Sequence, residues 1–141
     1  MNNKIYNFAK KIFYFPRSIT GIGVRQTLKE IKKILPNLKI YSVNSGTKVF
    51  DWKVPLEWKV NDAYILTPDG KKICDFKRNN LHLVGYSTAV NKILTKKQLL
   101  KKLFSLPSQP SAIPYVTSYY KKNWGFCISE NQKRKLKNGK Y

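Results

Sequence analysis

The sequence has 141 residues, of which 42% are hydrophobic and 13% are aromatic. This is enough apolar material for the core of a compact domain, and it excludes a disordered basic tail. Charge is the unusual property, because 28 basic and 7 acidic residues give a formal net charge of +21. The two cysteines, Cys74 and Cys127, are far apart in sequence, which excludes a disulfide framework and a cysteine-ligated zinc module.

The sequence shows no targeting segment and no membrane span. Its first apolar stretch, residues 5–15, is interrupted by Lys10 and Lys11 and is followed by no small-residue cleavage site. Nowhere do the roughly 18 uncharged apolar residues of a transmembrane helix follow one another. We therefore expect a soluble cytoplasmic protein with reduced thiols and no membrane partner.

The first part of the sequence has the pattern of two amphipathic helices. Apolar residues at helical spacing predict one helix that ends before Pro16, and a second that runs from about Gly21 to Pro36. The link between them, residues 17–23, contains capping residues and two glycines. Two glycines before a helix can expose amides to an anion, but this link lacks a Lys-Ser/Thr ending and follows no strand. The pattern favours ordinary capping over a phosphate-binding loop.

From Leu38 onwards the apolar period changes to that of strands. Two capping boxes, at residues 95–98 and 129–132, predict two short helices within this part. The turn Thr67-Pro68-Asp69-Gly70 lies between two apolar runs and predicts a hairpin. Strands are predicted at residues 39–43, 48–52, 62–66, 71–76 and 81–86, and strand-like aromatic segments at 114–120 and 124–128. The predicted fold class is α+β, with an N-terminal helix pair leading into a mostly antiparallel β domain with short helices.

Apart from one dense block at residues 132–137, the basic residues are spread along the chain rather than clustered. Only four of them are arginine, which specific readout of nucleic acid favours, and half of the 24 lysines form six dispersed doublets. No RNA-binding aromatic signature and no zinc-finger spacing is present. We therefore predict no specific nucleic-acid partner. The alternative interpretation is a stand-alone basic binding module for nucleic acid or acidic polysaccharide.

The sequence lacks a complete set of catalytic residues. His82 is its single histidine, and no carboxylate has metal-ligand spacing to it, so we expect no catalytic residue and no metal ligand in this chain. His82 alternates with apolar neighbours in a predicted strand, which favours a structural or rim position. Cys127 lies in an apolar run, which raises a thiol pKa and favours a core residue over a nucleophile. The aromatic residues at 115–126 could line a ligand groove, but they are commoner as core and hairpin pairs.

Several strings in the sequence are similar to the opening of bacterial zinc aminopeptidase-like proteins. The similar strings include Arg17-Ser-Ile-Thr-Gly21, Ser45-Gly-Thr-Lys-Val-Phe-Asp-Trp52, Asn79-Asn-Leu-His82, Thr117-Ser-Tyr-Tyr120 and Trp124-Gly-Phe-Cys127. In this family an exopeptidase α/β domain is interrupted by an inserted, largely β domain. The resemblance implies that residues 1–50 are the first helices and strand of an incomplete aminopeptidase-like domain, and that residues 51–141 form the inserted domain. Ala89 departs from the pattern, since similar sequences tend to carry Pro there.

The resemblance implies zinc for the complete family, held by residues downstream of the segment matching 138–141. We therefore expect an N-terminal fragment of a metallo-exopeptidase-like protein that acts as scaffold and as a wall of the substrate cleft. Alone it would hold no cofactor and cleave no peptide. Its partner would be the missing C-terminal zinc-binding half, and peptide would be a substrate of the complete protein only. His82, Tyr119 and Tyr120 lie in the most distinctive strings and carry polar tips, so we predict that they lie next to substrate.

Overall fold

The computed structural model describes residues 2–119 and 121–141. Its backbone divides into two compact units, one ending at Val60 and the other spanning Asn61–Tyr141. Helices and short strands are both present, which confirms the predicted α+β class. No helix in the described ranges is both long enough and apolar enough to cross a membrane.

The first unit contains two helices and one small hairpin. Helix α1 (Asn2–Phe13) ends before Pro16 and α2 (Ile22–Ile34) ends before Pro36, as predicted. Strands β1 (Lys48–Val49) and β2 (Trp52–Lys53) pair antiparallel. The start of α2 differs from the prediction, because no side chain caps it and Gly21 stands at the cap position with φ +115. The link instead passes very close to the helix: a Cβ on Gly23 would come within 2.2 Å of the Pro16 carbonyl oxygen.

Two strand predictions for this unit are wrong. Residues 39–43 form no regular element, and Tyr41 within them is 81% exposed. A strand needs a hydrogen-bonded neighbour, and alternation in sequence does not supply one. The predicted strand 48–52 is broken by a turn in which Phe50 has φ 54, so that β1 folds back on β2.

The described residues of the second unit form two strand pairings and three short helices. In chain order these elements are β3 (Ile65–Leu66), β4 (Lys72–Ile73), a 3₁₀ helix (Asn80–His82), α3 (Lys96–Leu100), β5 (Leu103–Phe104), β6 (Phe126–Cys127) and α4 (Glu130–Arg134). Strands β3 and β4 are antiparallel on either side of the predicted turn at residues 67–70, whereas β5 and β6 are parallel. Two of the three strand pairs of the described chain are therefore antiparallel.

Both predicted capping boxes open a helix. The Thr95 hydroxyl accepts from the Gln98 amide at 3.3 Å, and the Gln98 side chain accepts from the Thr95 amide at 2.9 Å. Ser129 accepts from the Gln132 amide at 3.3 Å, but the described contacts include no reciprocal bond from the Ser129 amide to the Gln132 side chain, so only half of this second box forms. These contacts satisfy donors that the first turn of a helix leaves unpaired, which lets helices of five residues form.

The hydrophobic core of the described chain lies in the second unit. Its buried cluster consists of Ile65, Cys74, Leu99, Leu103, Phe126, Ile128 and Leu136. Within residues 3–60, by contrast, the buried positions are Gly21, Gly23 and Thr27, and no hydrophobic side chain is buried. The second unit therefore has a core of its own, and the described part of the first unit does not.

Candidate functional site

His82 is held by the backbone of the core strand β6. It lies at the end of a 3₁₀ helix whose start is capped by Asn79, and not in the predicted strand. The Asn79 side chain accepts from the Leu81 amide at 3.0 Å. This local hydrogen bond favours the 3₁₀ helix over the strand that the alternating pattern predicts. The half-buried imidazole places Nδ1 2.8 Å from the Cys127 carbonyl oxygen. A carbonyl only accepts, so Nδ1 carries a proton and the neutral ring has Nε2 as its acceptor.

Tyr119 packs against a strained tyrosine on a neighbouring segment. The rings of Tyr86 and Tyr119 meet edge to face with centroids 5.1 Å apart, and Tyr86 has φ 61. Backbone pairing fixes this contact, because the Ser118 amide donates to the Gly85 carbonyl at 2.8 Å. A tyrosine in the left-handed region costs conformational energy, which the surrounding pairing offsets. Tyr120 lies outside the described residues.

The two cysteines are core residues, as the sequence predicts for Cys127. Cys74 and Cys127 are both buried and both carry free thiols. Burial raises the pKa of the Cys74 thiol to about 12 and that of the Cys127 thiol to about 11. Neither thiol is therefore a thiolate at neutral pH, which is the form that a nucleophile or a metal ligand needs.

Most of the carboxylates serve as counterions for lysine and arginine. The Arg25 guanidinium hydrogen-bonds Glu57 through both oxygens and holds the pKa of that carboxyl below its usual range. Hydrogen bonds from Ser105 and Arg134 likewise lower the pKa of Glu130. Six of the seven carboxylates form such ion pairs: Glu30, Glu57, Asp62, Asp69, Asp75 and Glu130. Among the described residues, no three His, Cys, Asp or Glu side chains group so as to hold a metal ion.

A cavity of about 480 Å³ lies entirely within the second unit. The β3–β4 hairpin forms one side and residues 128–141 form the other. Its lining combines the apolar side chains of Ile73, Ile128 and Leu136 with the cationic ones of Lys71, Lys135 and Lys137. Neither His82 nor Tyr119 is among the lining residues, so their predicted place beside substrate stays a prediction.

Sequence reasoning did not find this cavity. Its two signals, the Pro-Asp-Gly turn and the lysine-rich run at 133–137, are both visible in the sequence. They are more than 60 residues apart, and no local pattern shows that they meet. The contact between them depends on the packing of Ile128 and Leu136 in the same core cluster as Ile65.

Comparison with known proteins places the chain in a family. Residues 57–141, more than half of the chain, match the family DUF2172, a domain of unknown function. The chain therefore belongs to the DUF2172 family.

Two similar proteins, both from Clostridium acetobutylicum, relate the chain to peptidases. One is named a "putative polysaccharide biosynthesis protein with aminopeptidase-like domain" and is 50% identical over 129 residues, which are 92% of this chain and 30% of that protein. The other is the crystal structure of a "putative peptidase", with 47% identity and a TM-score of 0.93, over 99% of this chain and 33% of that one. The chain spans about a third of the length of each relative. The predicted similarity to aminopeptidase-like proteins is thus confirmed.

Proposed function

We propose that this chain is the N-terminal part of a zinc-dependent aminopeptidase-like protein, in which it supplies scaffold and one wall of the substrate cleft. The names and lengths of the two relatives support this, since each has a further two thirds that the chain does not match. The complete protein would release an N-terminal residue from a peptide by means of a metal-activated water. His82, Tyr119 and Tyr120 remain our candidates for residues next to that peptide.

The exposed apolar surface of the first unit carries the proposal. Among the described residues, 15 large hydrophobic side chains are exposed in the first unit and six in the second. On α1, Ile5 is 74% and Phe13 is 53% exposed, and further along the chain Leu56 is 80% exposed. An amphipathic helix of a stable protein normally turns its apolar side towards a core. Burial of these side chains against the part of the protein that the relatives carry in addition would supply that core.

The residues described here do not fit the zinc site of such a protein. Six of the seven carboxylates are already paired with lysine or arginine, and among the described residues no two further His, Cys, Asp or Glu side chains group with His82. Both thiols are held neutral by burial. The proposal therefore assigns zinc and its ligands to the remaining two thirds, and no catalytic step to this chain.

Coexpression tests the proposal. The chain would be produced with the part of the C. acetobutylicum relative that lies outside the matched region, and the complex measured by light scattering after gel filtration. We expect a 1:1 complex that hydrolyses a leucyl p-nitroanilide and loses this activity in a chelator. Absence of a complex, or a complex whose hydrolysis is insensitive to the chelator, would contradict the proposal.

A matched pair of variants tests the docking surface. Ile5→Ser with Phe13→Ser removes apolar side chains that are exposed in the described chain, so the chain should fold as before but bind its partner at least tenfold more weakly. Lys4→Ser with Asn7→Ser changes exposed polar positions of the same helix and should bind normally. Equal weakening by both pairs would show that α1 does not dock through its apolar side.

A further inference from the structure

We propose that the cavity between the β3–β4 hairpin and residues 128–141 binds a small organic anion with an apolar body, of the aromatic carboxylate class. No part of the proposed peptidase role requires such a ligand. The cavity lies wholly within the second unit, which carries its own core. The two proposals can therefore fail independently of each other.

The floor of the cavity suits an apolar body. Ile73 of β4 is half-buried, so part of its apolar side chain is accessible from the cavity, whereas Ile128 (1% exposed) and Leu136 (9% exposed) belong mainly to the core and add little accessible surface. Tyr141 adds an aromatic ring to the lining. The volume of about 480 Å³ lies within the range of roughly 300–1,000 Å³ that is common for small-molecule sites.

The charges around the cavity favour an anion. Among the lining side chains, those of Lys71, Lys135 and Lys137 carry ammonium groups and that of Asp69 carries a carboxylate. Asp69 is already engaged, since Oδ1 accepts from the Thr67 hydroxyl at 2.6 Å and Oδ2 lies 3.0 Å from the Lys71 ammonium. These contacts lower the pKa of Asp69 to about 2. Asp69 is therefore a carboxylate throughout the physiological range, and its negative charge is paired with the Lys71 ammonium.

Lys135 and Lys137 are left as the cations that a ligand would meet. Neither forms an ion pair with any carboxylate of the described chain. They flank Leu136, whose side chain belongs to the apolar core, so an apolar surface and two cations adjoin within three consecutive residues. A molecule with a flat apolar body and a carboxylate at one end matches this arrangement.

Hydrogen bonds within the second unit fix the backbone of the cavity wall at residues 136–141. The Leu94 and Tyr141 backbones exchange two hydrogen bonds of 2.9 and 2.8 Å. The Tyr141 hydroxyl donates to the Lys137 carbonyl at 2.6 Å, and the Lys96 ammonium donates to the Leu136 carbonyl. A site formed in advance does not have to order these groups when the ligand binds, which favours affinity.

Titration with 2-naphthoate, followed by backbone amide NMR, tests the proposal. We expect saturable shifts confined to residues 67–73 and 128–141, and binding of the neutral 2-naphthamide about tenfold weaker. Lys135→Gln with Lys137→Gln should weaken naphthoate binding about tenfold and leave naphthamide binding unchanged. The matched pair Lys97→Gln with Lys101→Gln, exposed lysines outside the cavity, should change neither.

Three results would overturn the proposal. The first is a shift map centred on the apolar side chains of residues 3–60, which offer a competing surface for any aromatic probe. The second is equal affinity for the acid and the amide, because the lysines would then play no part. The third is an equal effect of the two pairs of lysine substitutions. That result would show that Lys135 and Lys137 act only through the net charge of the protein.

Discussion

Gly139 lies directly against Pro68, and the space between them admits no side chain. A Cβ at position 139 would come within 2.4 Å of Pro68 Cγ and 2.9 Å of its Cβ. This contact joins the turn of the β3–β4 hairpin to the segment after α4, the two sides of the cavity. Gly139 also has φ +150, a backbone conformation that side chains rarely adopt.

We expect Gly139→Ala to destabilise the second unit by about 2–4 kcal/mol, since overpacking adds to the strain of the backbone conformation. Gly70→Ala is the matched variant, because Gly70 has φ +76 and a Cβ added there would meet nothing within 4 Å. It should cost about 1 kcal/mol. Urea unfolding of both variants checks this, and equal losses would show that Pro68 moves aside.

The proton of His82 can be observed directly. Its contact with the Cys127 carbonyl requires the proton on Nδ1, and the chain has no other histidine to complicate the spectrum. We expect the imidazole nitrogen shifts at pH 8 to show the Nδ1–H tautomer. His82→Phe should cost about 1–2 kcal/mol in unfolding free energy, since it leaves the carbonyl without this donor. A dominant Nε2–H tautomer would contradict the contact.

The buried thiols make the fold sensitive to alkali. The pKa of Cys74 is raised from 9.0 to about 12, so the folded state holds this proton more tightly than the unfolded chain. Its stabilising effect is complete below pH 9 and is lost as pH rises from 9 towards 12. We expect Cys74→Ala to remove about 1 kcal/mol of the loss between pH 8 and pH 10. Parallel urea curves for the two proteins at both pH values provide the measurement, and identical pH dependence would refute the assignment.

The capping box of α3 offers a local test of stability. Thr95→Ala removes the acceptor of the Gln98 amide and should cost about 1 kcal/mol. Gln98→Ala removes the bonds that the Gln98 side chain accepts from the Thr95 amide and hydroxyl but keeps the cap on the backbone amide of residue 98, and it should cost less. Thermal unfolding of the two variants ranks the contacts, and a larger loss for Gln98→Ala would show that its side chain has another role.

The net charge predicts weak, salt-dependent binding to nucleic acid. The cations are dispersed lysines, and such binding weakens steeply in added salt because the release of counterions from the nucleic acid then contributes less free energy. We expect retention of a random DNA duplex in low salt and none at about 150 mM salt. Fluorescence anisotropy at several salt concentrations is the measurement. Sequence-dependent binding that persists at about 150 mM salt would favour the alternative of a stand-alone basic module.

The helices could be predicted from the sequence because their signals are local. Pro16 and Pro36 terminate α1 and α2, and the Thr95 and Ser129 hydroxyls cap α3 and α4 within one turn of chain. The Pro-Asp-Gly turn between β3 and β4 is local in the same sense. Each of these features depends on residues no more than a few positions apart.

The remaining features depend on partners that are distant in sequence. Residues 39–43 alternate like a strand, but no neighbouring strand pairs with them in the described chain. The segment 48–52 has the pattern of one strand, but the chain turns at Phe50 and forms the two paired strands β1 and β2. The cavity likewise needs the hairpin at 67–73 to meet residues 128–141. Alternation and composition describe each segment, and neither specifies which segments pair.

The uneven placement of the core also affects how the effect of a substitution should be measured. Every buried hydrophobic side chain of the described residues lies in the second unit, so unfolding of the chain by itself reports mainly on residues 61–141. A replacement such as Ile22→Asp, at a side chain that is 55% exposed, would pass such an assay unnoticed. The same replacement would be severe wherever another part of the protein covers that side chain, so tolerance measured on the isolated chain would understate the constraint on its first sixty residues.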